Sequence, residues 1–247
     1  MSLSWLQIDW PAPPGVHVLS SFRSGGASAP PYDSLNLGDH VGDDPRAVAE
    51  NRRQLQLEAG LPAEPVWLEQ VHGVNVADLD SHGPYGPADA ALTRRLGRVC
   101  AILTADCLPV MIASESGETI AAAHAGWRGL KDGVIGATVQ AMGVAPQRLI
   151  VWLGPAIGPR HFEVGAEVRE AFLEVDSKNI DAFEGNARGR FMADLALLAR
   201  RQLGRLGITR IYGGGECTYT RADRYFSHRR DGVTGRQGTF IWRETRT

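Results

Sequence analysis

The sequence predicts an α/β (α+β) fold, a single domain in which a mixed β-sheet core is flanked by helices. Strand-like and helix-like segments alternate irregularly along the 247 residues, so a strict succession of β-α-β units is not expected. Turn residues from Ser114 to Glu118 separate two apolar segments, which predicts a hairpin and antiparallel pairing. No linker or internal repeat divides the chain, so we expect one domain over residues 1–247.

The first third of the chain predicts a strand, a helix and a second extended segment. Gly15 to Phe22 alternates in hydrophobicity as a strand does. Asp44-Pro45 predicts the start of a helix, since Asp is a good N-cap and Pro is favoured at the first helical position, and Gly60 predicts its end. Pro65 to Ala77 is strand-like on both sides of His72-Gly73, so His72 is expected to project from a bend.

The central stretch predicts strands that end in reactive side chains. Val99 to Leu103, Val110 to Ala113 and Thr119 to Ala123 are short runs of apolar, small or β-branched residues. Cys107 lies in the break between the first two runs, and His124 follows the third. Segments that follow strand ends are where a rigid scaffold usually presents polar groups to a ligand, so both side chains are candidates for a site.

The second half of the chain predicts three further helices and three further strands. The helices are expected at Leu130 to Met142, along a stripe of Val168, Phe172 and Val175, and at Leu195 to Leu206. The strands are expected at Leu149 to Leu153, Ile208 to Tyr212 and Thr239 to Arg243.

Composition narrows the functional classes. A net charge of −2 and a pI near 6.4 provide no global basic field, so we expect no nucleic-acid partner and no binding to anionic membranes. The N-terminus lacks the pattern of a signal peptide, and no segment has the apolar length of a membrane span. Three scattered cysteines are too few for a disulfide framework. We therefore expect a cytoplasmic protein with a small-molecule substrate.

The residue types at the bends allow three interpretations. His72, Cys107 and His124 each lie at a bend, and two imidazoles with one thiolate are a typical ligand set for catalytic zinc, which keeps its fourth position for water or substrate. The same residues would suit a cysteine hydrolase, with Cys107 as the nucleophile, a histidine as its base, and Asp106 or another carboxylate orienting that base. Alternatively, the cysteine is buried and unreactive and the histidines are structural.

Several ordered motifs resemble one bacterial family. TADCLP (Thr104 to Pro109) and AHAGWRG (Ala123 to Gly129) are similar to the family variously called laccase-domain, multicopper polyphenol oxidase, peptidoglycan editing factor or zinc-dependent purine nucleoside phosphorylase. The chain departs from it at His228, where other members often have an aromatic residue. The remaining matching pieces are RSGG (23–26), SLNLGDHVGDDP (34–45), EQVHG (69–73), GPAIG (154–158), FEVG (162–165) and FSHRRDGVTGR (226–236).

The resemblance implies a zinc site and an enzymatic activity. His72, Cys107 and His124 would be the zinc ligands and part of the catalytic site. The substrates would be purine nucleosides and phosphate, with phosphorolysis of adenosine, inosine, guanosine and S-methyl-5'-thioadenosine and with deamination of adenosine. A site that activates water for attack on purine C6 also needs a proton shuttle. Asp106, next to Cys107, is our candidate for that role, although it could simply orient its loop.

Phosphorolysis requires a bound phosphate and a held nucleoside. Arg23 and one of Arg229 and Arg230 are the arginines that we expect to contact phosphate, although each could form an exposed salt bridge instead. Asn36 is expected to hydrogen-bond the substrate, and a role in a turn is the alternative.

Two other activities remain open. The chain has seven histidines and no His-X-His pair, which argues against a multicopper oxidase. A site with two histidines and one cysteine would nevertheless bind copper tightly, so copper is an alternative metal and a laccase-like polyphenol oxidase is an alternative function. Peptidoglycan editing would require either hydrolysis of a cytoplasmic muropeptide precursor, which fits the cysteine-hydrolase interpretation, or an indirect effect through nucleotide metabolism. The sequence predicts no oligomeric state.

Overall fold

The computed structural model describes residues 3–82 and 84–244, and most of its strands belong to two packed sheets. The strands are β1 (Val16–Ser20), β2 (Val76–Asp78), β3 (Ala90–Thr93), β4 (Val99–Thr104), β5 (Leu108–Ser114), β6 (Ile120–Ala125), β7 (Leu149–Leu153), β8 (Glu163–Val164), β9 (Phe183–Gly185), β10 (Phe191–Ala193), β11 (Arg210–Gly213) and β12 (Gln237–Arg243). The helices are α1 (Pro45–Glu58), α2 (Trp127–Asp132), α3 (Val134–Met142), α4 (Ala166–Val175), α5 (Leu195–Arg205) and α6 (His228–Asp231), with short 3-10 helices at Pro146–Arg148 and Ser177–Ala182.

The larger sheet is mixed, as the sequence predicts. Its order is β11-β7-β5-β6-β3-β2, in which the outer pairs β11–β7 and β3–β2 are parallel and the inner pairs are antiparallel. The predicted hairpin around residue 116 is confirmed as β5–β6. A second sheet, β1-β12-β4, is antiparallel throughout, and a small third sheet has the order β8-β10-β9.

The two main sheets pack face to face, with helices outside. Along β5, Val110 and Ile112 pack in the core cluster that includes residues of α3 and α5, whereas Met111 packs in the cluster shared with the second sheet. Along β4, Ile102 faces the larger sheet and Leu103 faces the cluster that contains Leu55 of α1. The order of layers is therefore helices, larger sheet, smaller sheet, helix α1, and both main sheets are covered on both faces.

Most predicted elements are confirmed, but several differ from the prediction. The helix expected from Leu130 to Met142 is two helices, α2 and α3, because Gly133 has a φ of 99° and interrupts the helix. In the segment from Pro65 to Ala77, only Val76 and Ala77 belong to a strand, β2. Val66 also forms one isolated β-bridge. The backbone N–H groups around His72 are instead bound by a carboxylate, as described below. Val175, expected on a buried helical face, is exposed.

The strands beside the candidate ligands are longer than predicted. β5 begins at Leu108 and includes Pro109, so Cys107 immediately precedes a strand. β6 extends through Ala125, so His124 belongs to the strand and does not follow it. In the described residues, no helix combines the length and the apolar character needed to span a membrane.

Candidate metal centre

His72, Cys107 and His124 meet at one edge of the larger sheet. One ligand atom from each lies within 4.8 Å of the others. In the β5–β6 hairpin, Leu108 pairs with Ala125 and Pro109 with His124, so the register brings the Cys107 turn beside His124. His72 comes from the loop before β2. His124 is buried, Cys107 is partly exposed and His72 is exposed, so the group opens to solvent on the His72 side.

Asp89, just before β3, holds both histidines in place. Its carboxylate accepts backbone N–H bonds from Val71 (3.1 Å), His72 (2.9 Å) and Gly73 (2.6 Å). The same carboxylate binds Nδ1 of His124 at 2.8 Å. His72 has a φ of 63°, and the three N–H bonds support this left-handed conformation. Because Nδ1 of His124 is bound to Asp89, its Nε2 is the nitrogen available for a metal, as in carboxylate–histidine–metal arrangements.

The spacing of the three side chains fits a tetrahedral metal. Sγ of Cys107 lies 3.8 Å from Nε2 of His72. Zinc bonds of about 2.3 Å to sulfur and 2.0 Å to nitrogen place two tetrahedral ligand atoms about 3.5 Å apart. Gly126 leaves the space that this arrangement needs, since a Cβ there would lie 2.9 Å from Sγ of Cys107 and 2.9 Å from Cδ2 of His72. Three protein ligands leave a fourth position for water or substrate.

The same contacts make Cys107 acidic. Burial raises the pKa of the Cys107 thiol, but the charge and hydrogen bonds of His124 and His72 outweigh it and lower that pKa to about 6. Burial lowers the pKa of His124, but Cys107 and the hydrogen bond to Asp89 raise it to about 9. Without a metal, the pair is therefore a thiolate and an imidazolium at neutral pH. A thiolate is the form of cysteine that binds metals and attacks electrophiles.

Both carboxylate oxygens of Asp106 accept hydrogen bonds from distant segments of the chain. Its Oδ1 accepts the hydroxyl of Thr218 at 2.6 Å, and its Oδ2 accepts the backbone N–H of Arg229 at 2.7 Å. Its φ of 95° turns the chain sharply before Cys107. These bonds connect the Cys107 turn to Thr218 and to the first turn of α6. The role of Asp106 as a proton shuttle stays a prediction.

Arg23 and Arg229 mostly contact protein acceptors. Nε of Arg23 donates to the Asp33 carbonyl at 3.1 Å, and its guanidinium lies 3.6 Å from the Asp33 carboxylate. Nη1 of Arg229 donates to the Glu163 carbonyl at 2.7 Å, and its guanidinium lies over the ring of Phe162. Their contact with phosphate stays a prediction.

The side chains of Arg230 and Asn36 form more hydrogen bonds within the protein than those of Arg23 and Arg229. Arg230 forms a two-point ion pair with Asp231 and donates to the backbone carbonyls of Thr218, Tyr219 and Tyr225. Asn36 is fully buried, and its amide donates to the Gly38 carbonyl and accepts the N–H groups of Gly38 and Arg236. Their roles in substrate binding stay predictions. His228 begins α6, and its ring contacts the Gly232 carbonyl at 2.6 Å.

Sequence reasoning did not predict three residues of this region. Asp89 binds the candidate ligands His72 and His124, Gly126 leaves space beside Cys107 and His72, and the charge of Arg236 interacts with Cys107. Asp89 could have been noticed in the sequence as an acidic residue directly before an apolar strand. Gly126 could have been noticed as a small residue two positions after His124.

Two cavities are lined by residues that neighbour the candidate metal ligands in the chain. One of about 420 Å³ is lined by Val71, which precedes His72, and by His40 and Gln70. The other, of about 430 Å³, lies at the end of β7 and is lined by Leu108 and Cys217. Both volumes fall in the usual range for small-molecule sites, although neither lining includes a metal ligand.

Comparison with known protein families identifies the family of this chain. The family described as "Multi-copper polyphenol oxidoreductase laccase" matches residues 17–244. The chain belongs to this laccase-like family. The resemblance of the TADCLP and AHAGWRG motifs to the family is thereby confirmed.

Relatives in the laccase-like family carry the name of a nucleoside enzyme. The chain is 52% identical to "Purine nucleoside phosphorylase YfiH" of Shigella flexneri over 236 residues, which is 95% of this chain and 96% of the relative. It is also 52% identical to "Purine nucleoside phosphorylase PA4543" of Pseudomonas aeruginosa, with 97% of this chain and 98% of the relative covered. These relatives support the assignment of the chain as an enzyme.

Solved structures of similar proteins have the same fold. The crystal structure of Neisseria meningitidis protein NMB0706 matches with a TM-score of 0.93 and 45% identity, covering 98% of this chain and 99% of that protein. YlmD from Geobacillus stearothermophilus matches with a TM-score of 0.88 and 31% identity, covering 98% and 96%. The predicted mixed α/β fold is confirmed by these matches.

Proposed function

We propose that this protein is a zinc-dependent purine nucleoside phosphorylase that also deaminates adenosine. Its substrates would be phosphate with adenosine, inosine, guanosine or S-methyl-5'-thioadenosine. The observation that carries the proposal is the group of two imidazoles and one thiolate, anchored by Asp89 and open on one side. The names of the relatives support the substrate class. The predicted cytoplasmic location stays a prediction.

Each protein residue of the candidate site would have a separate role. His72, Cys107 and His124 would hold the zinc, which supplies Lewis-acid chemistry when bound. Asp89 would keep Nε2 of His124 directed at the centre and fix the backbone of His72. Cys107 needs no separate base to become a ligand, because its pKa is lowered to about 6.

Proton transfer is the second requirement of both reactions. Asp106 is the carboxylate next to Cys107 in the chain, and both of its oxygens accept hydrogen bonds. Each carboxylate oxygen can accept two hydrogen bonds, so Asp106 keeps one acceptor position on each oxygen while it binds Thr218 and Arg229. Asp106 would therefore accept a proton without releasing either donor.

Product analysis tests the proposal directly. Zinc-loaded protein is incubated with adenosine, with and without phosphate. Adenine and ribose 1-phosphate formed only with phosphate would support phosphorolysis, and inosine in both samples would support deamination. Absence of turnover of all four nucleosides would refute the proposal. The variant His124→Ala should lose turnover while its circular dichroism spectrum stays native, whereas a purely structural zinc site would lose its fold.

A cysteine hydrolase is the second candidate, and one observation favours it. Asp89, His124 and Cys107 form a chain of contacts like that of a catalytic triad. In this role Asp89, and not Asp106, would orient the base. Tightly bound stoichiometric zinc that blocks alkylation of Cys107 would contradict this candidate, and turnover of a muropeptide precursor by metal-free protein would support it.

A copper-dependent oxidase is the third candidate, and the family description favours it. Two imidazoles and a thiolate bind Cu(II) more tightly than zinc, so copper would occupy this site wherever it is offered. Phenol oxidation by copper-loaded protein, with none by the zinc-loaded form, would assign that activity to copper. Substantial oxidation by zinc-loaded, copper-free protein would contradict this explanation.

A further inference from the structure

Arg236, just before β12, is a partly buried arginine without a carboxylate partner. Within residues 3–82 and 84–244, no ion pair closer than 4.0 Å includes it, in contrast to Arg23 and Arg230. Its guanidinium donates from Nη1 to the carbonyls of Thr234 and Gly235, both at 3.0 Å. In the same described residues its Nε–H and Nη2 form no hydrogen bond, so one edge of the guanidinium is left for a two-point contact.

The Arg236 side chain is held in a defined place. Its backbone N–H donates to Oδ1 of Asn36 at 2.8 Å, and the same oxygen accepts the N–H of Gly38. A Cβ at Gly38 would lie 2.8 Å from Cγ of Arg236, so the arginine stem rests directly on that glycine. The buried amide of Asn36 therefore acts as a positioning group for both.

The charge of Arg236 reaches the candidate metal centre. Burial lowers the pKa of Arg236, and the negative charges of Cys107 and Asp106 oppose that shift. His40 also lies within range, since burial and the charge of Arg236 lower its pKa. Once a metal neutralises the thiolate, the Cys107 side of this region would carry excess positive charge. A partly buried cation in such a place is stabilised by an anionic ligand.

One buried hydroxyl beside Arg236 also lacks a partner. Thr234 precedes Arg236 by two residues, and its carbonyl accepts a hydrogen bond from the Arg236 guanidinium. Thr234 is 2% exposed, and its hydroxyl has no hydrogen-bond partner within the described part of the chain. Buried hydroxyls are normally paired, so such a group beside an unpaired guanidinium edge indicates a polar ligand.

We propose that Arg236 binds the phosphate co-substrate next to the metal ligands. The inference rests on the proposed phosphorylase function, which requires phosphate. The planar guanidinium matches two phosphate oxygens, and the unpaired hydroxyl of the adjacent Thr234 is a further donor. Arg236 would thus take the part that the sequence suggested for Arg23, Arg229 or Arg230.

Equilibrium binding of inorganic phosphate tests this site without any turnover. Wild-type zinc-loaded protein, Arg236→Gln, Arg236→Lys and Arg53→Gln are titrated with radiolabelled phosphate in equilibrium dialysis. Arg53 is an exposed residue of α1 paired with Glu50, so its variant removes the same charge at a position outside the proposed site. We expect Arg236→Gln to raise the Kd at least tenfold, Arg236→Lys to raise it less, and Arg53→Gln to leave it unchanged.

Three results would overturn the inference. They are absence of saturable phosphate binding by the wild type, wild-type affinity in Arg236→Gln, and loss of affinity in Arg23→Gln but not in Arg236→Gln. If Arg236→Gln does not fold, Gly38→Ala serves instead, because its Cβ displaces the arginine stem while keeping the charge. It should then raise the Kd for phosphate, and an unchanged Kd would overturn the inference.

Steady-state kinetics separate this inference from the proposed function. In Arg236→Gln, the KM for phosphate should rise at least tenfold while the KM for the nucleoside changes less than threefold. Equal increases in both would contradict a phosphate-specific role. If the wild type binds phosphate through Arg236 but cleaves no nucleoside, the phosphorylase proposal fails and the anion site stands.

Discussion

Asp89 is the single residue on which the geometry of both histidines depends. Each of its carboxylate oxygens accepts two hydrogen bonds, Oδ1 from His72 N–H and His124 Nδ1, and Oδ2 from the N–H groups of Val71 and Gly73. These donors also hold the pKa of Asp89 below its usual value, although burial acts in the opposite direction. Neutral or differently shaped side chains cannot satisfy all four donors.

Replacing Asp89 with asparagine should therefore weaken metal binding. The amide nitrogen would face N–H donors, and one or two of them would lose their acceptor. We expect Asp89→Asn to lower zinc affinity by about 10- to 100-fold, as is usual when a group that orients a ligand is lost. Competition with a chromophoric chelator measures this. Asp132→Asn is the control, because Asp132 is exposed and forms an ion pair with its neighbour Lys131, and equal affinities of the two variants would contradict the role of Asp89.

The low pKa of Cys107 predicts a distinct pH dependence for metal-free protein. Below pH 6 the thiol is protonated and unreactive, and above it the thiolate forms, so alkylation by iodoacetamide should rise through pH 6 and level off above pH 7. An ordinary thiol would show its midpoint near about 8.5. Mass spectrometry of labelled peptides separates Cys107 from Cys100, which is fully buried and should react slowly. Zinc should suppress the labelling of Cys107, and a midpoint near 8.5 would refute the assigned pKa.

Among the structural elements, the turn from β6 into α2 packs directly against the site. Gly126 has φ −64° and ψ 160°, which any residue can adopt, so its glycine is required by space and not by backbone conformation. A methyl group there would contact both Cys107 and His72 at 2.9 Å. The backbone of the turn therefore approaches the candidate ligands Cys107 and His72 so closely that no side chain fits at position 126.

We expect Gly126→Ala to reduce zinc affinity at least tenfold while the fold is retained. Gly136 in α3 is a matched control, since no atom lies within 4 Å of a Cβ built there. Gly136→Ala should leave zinc binding unchanged and stabilise the protein by about 0.5–1 kcal/mol, because alanine is the better helix former. Isothermal titration with zinc and urea unfolding measure the two effects. Wild-type zinc affinity in Gly126→Ala would contradict this prediction, because it would mean that the turn moves to make room for the added methyl group.

At the scale of the whole molecule, the larger sheet is buried on both faces. Met111 and Ile112 are consecutive in β5, point to opposite faces, and are both fully buried. We therefore expect Met111→Ala and Ile112→Ala each to lower the free energy of unfolding by about 2–5 kcal/mol. Leu57→Ala on the exposed side of α1 should change it by less than about 0.5 kcal/mol. Urea unfolding checks this, and a small effect at either β5 position would mean that one face is open.

Burial on both faces also explains which elements the sequence predicts well. Strands β4 to β7 are continuous apolar runs bounded by turn residues, so their existence follows from local pattern. Cys107 was predictable as a candidate ligand because it stands in the break between two such runs, and His124 because it lies near the end of a third. His72 was predicted from a bend, and it lies with a φ of 63° in the loop before β2. The end of β6 was misplaced because Ala123, His124 and Ala125 have no local signal that ends a strand.

Contacts between distant segments were not predictable from the sequence. Asp89 lies 35 residues from His124, and only the β3–β6 pairing brings them together. Arg236 was not distinguished from the neighbouring arginines, because its lack of a carboxylate partner depends on where residues far away in the chain fold. Similarly, the motif around Arg229 and Arg230 suggested phosphate contacts, whereas the structure shows both donating to backbone carbonyls.

The hairpin that carries two of the three ligands has a consequence for the order of folding. Cys107 and His124 are brought together by a local β5–β6 pairing, and such hairpins form within about 1–10 μs in isolation. His72 arrives only when β3 adds to β6 and delivers Asp89 to the hairpin. During folding, we therefore expect a two-ligand intermediate that captures metal weakly, followed by tight binding when the third strand docks. Stopped-flow refolding with Co²⁺, monitored through its thiolate absorption, would record these as two successive phases.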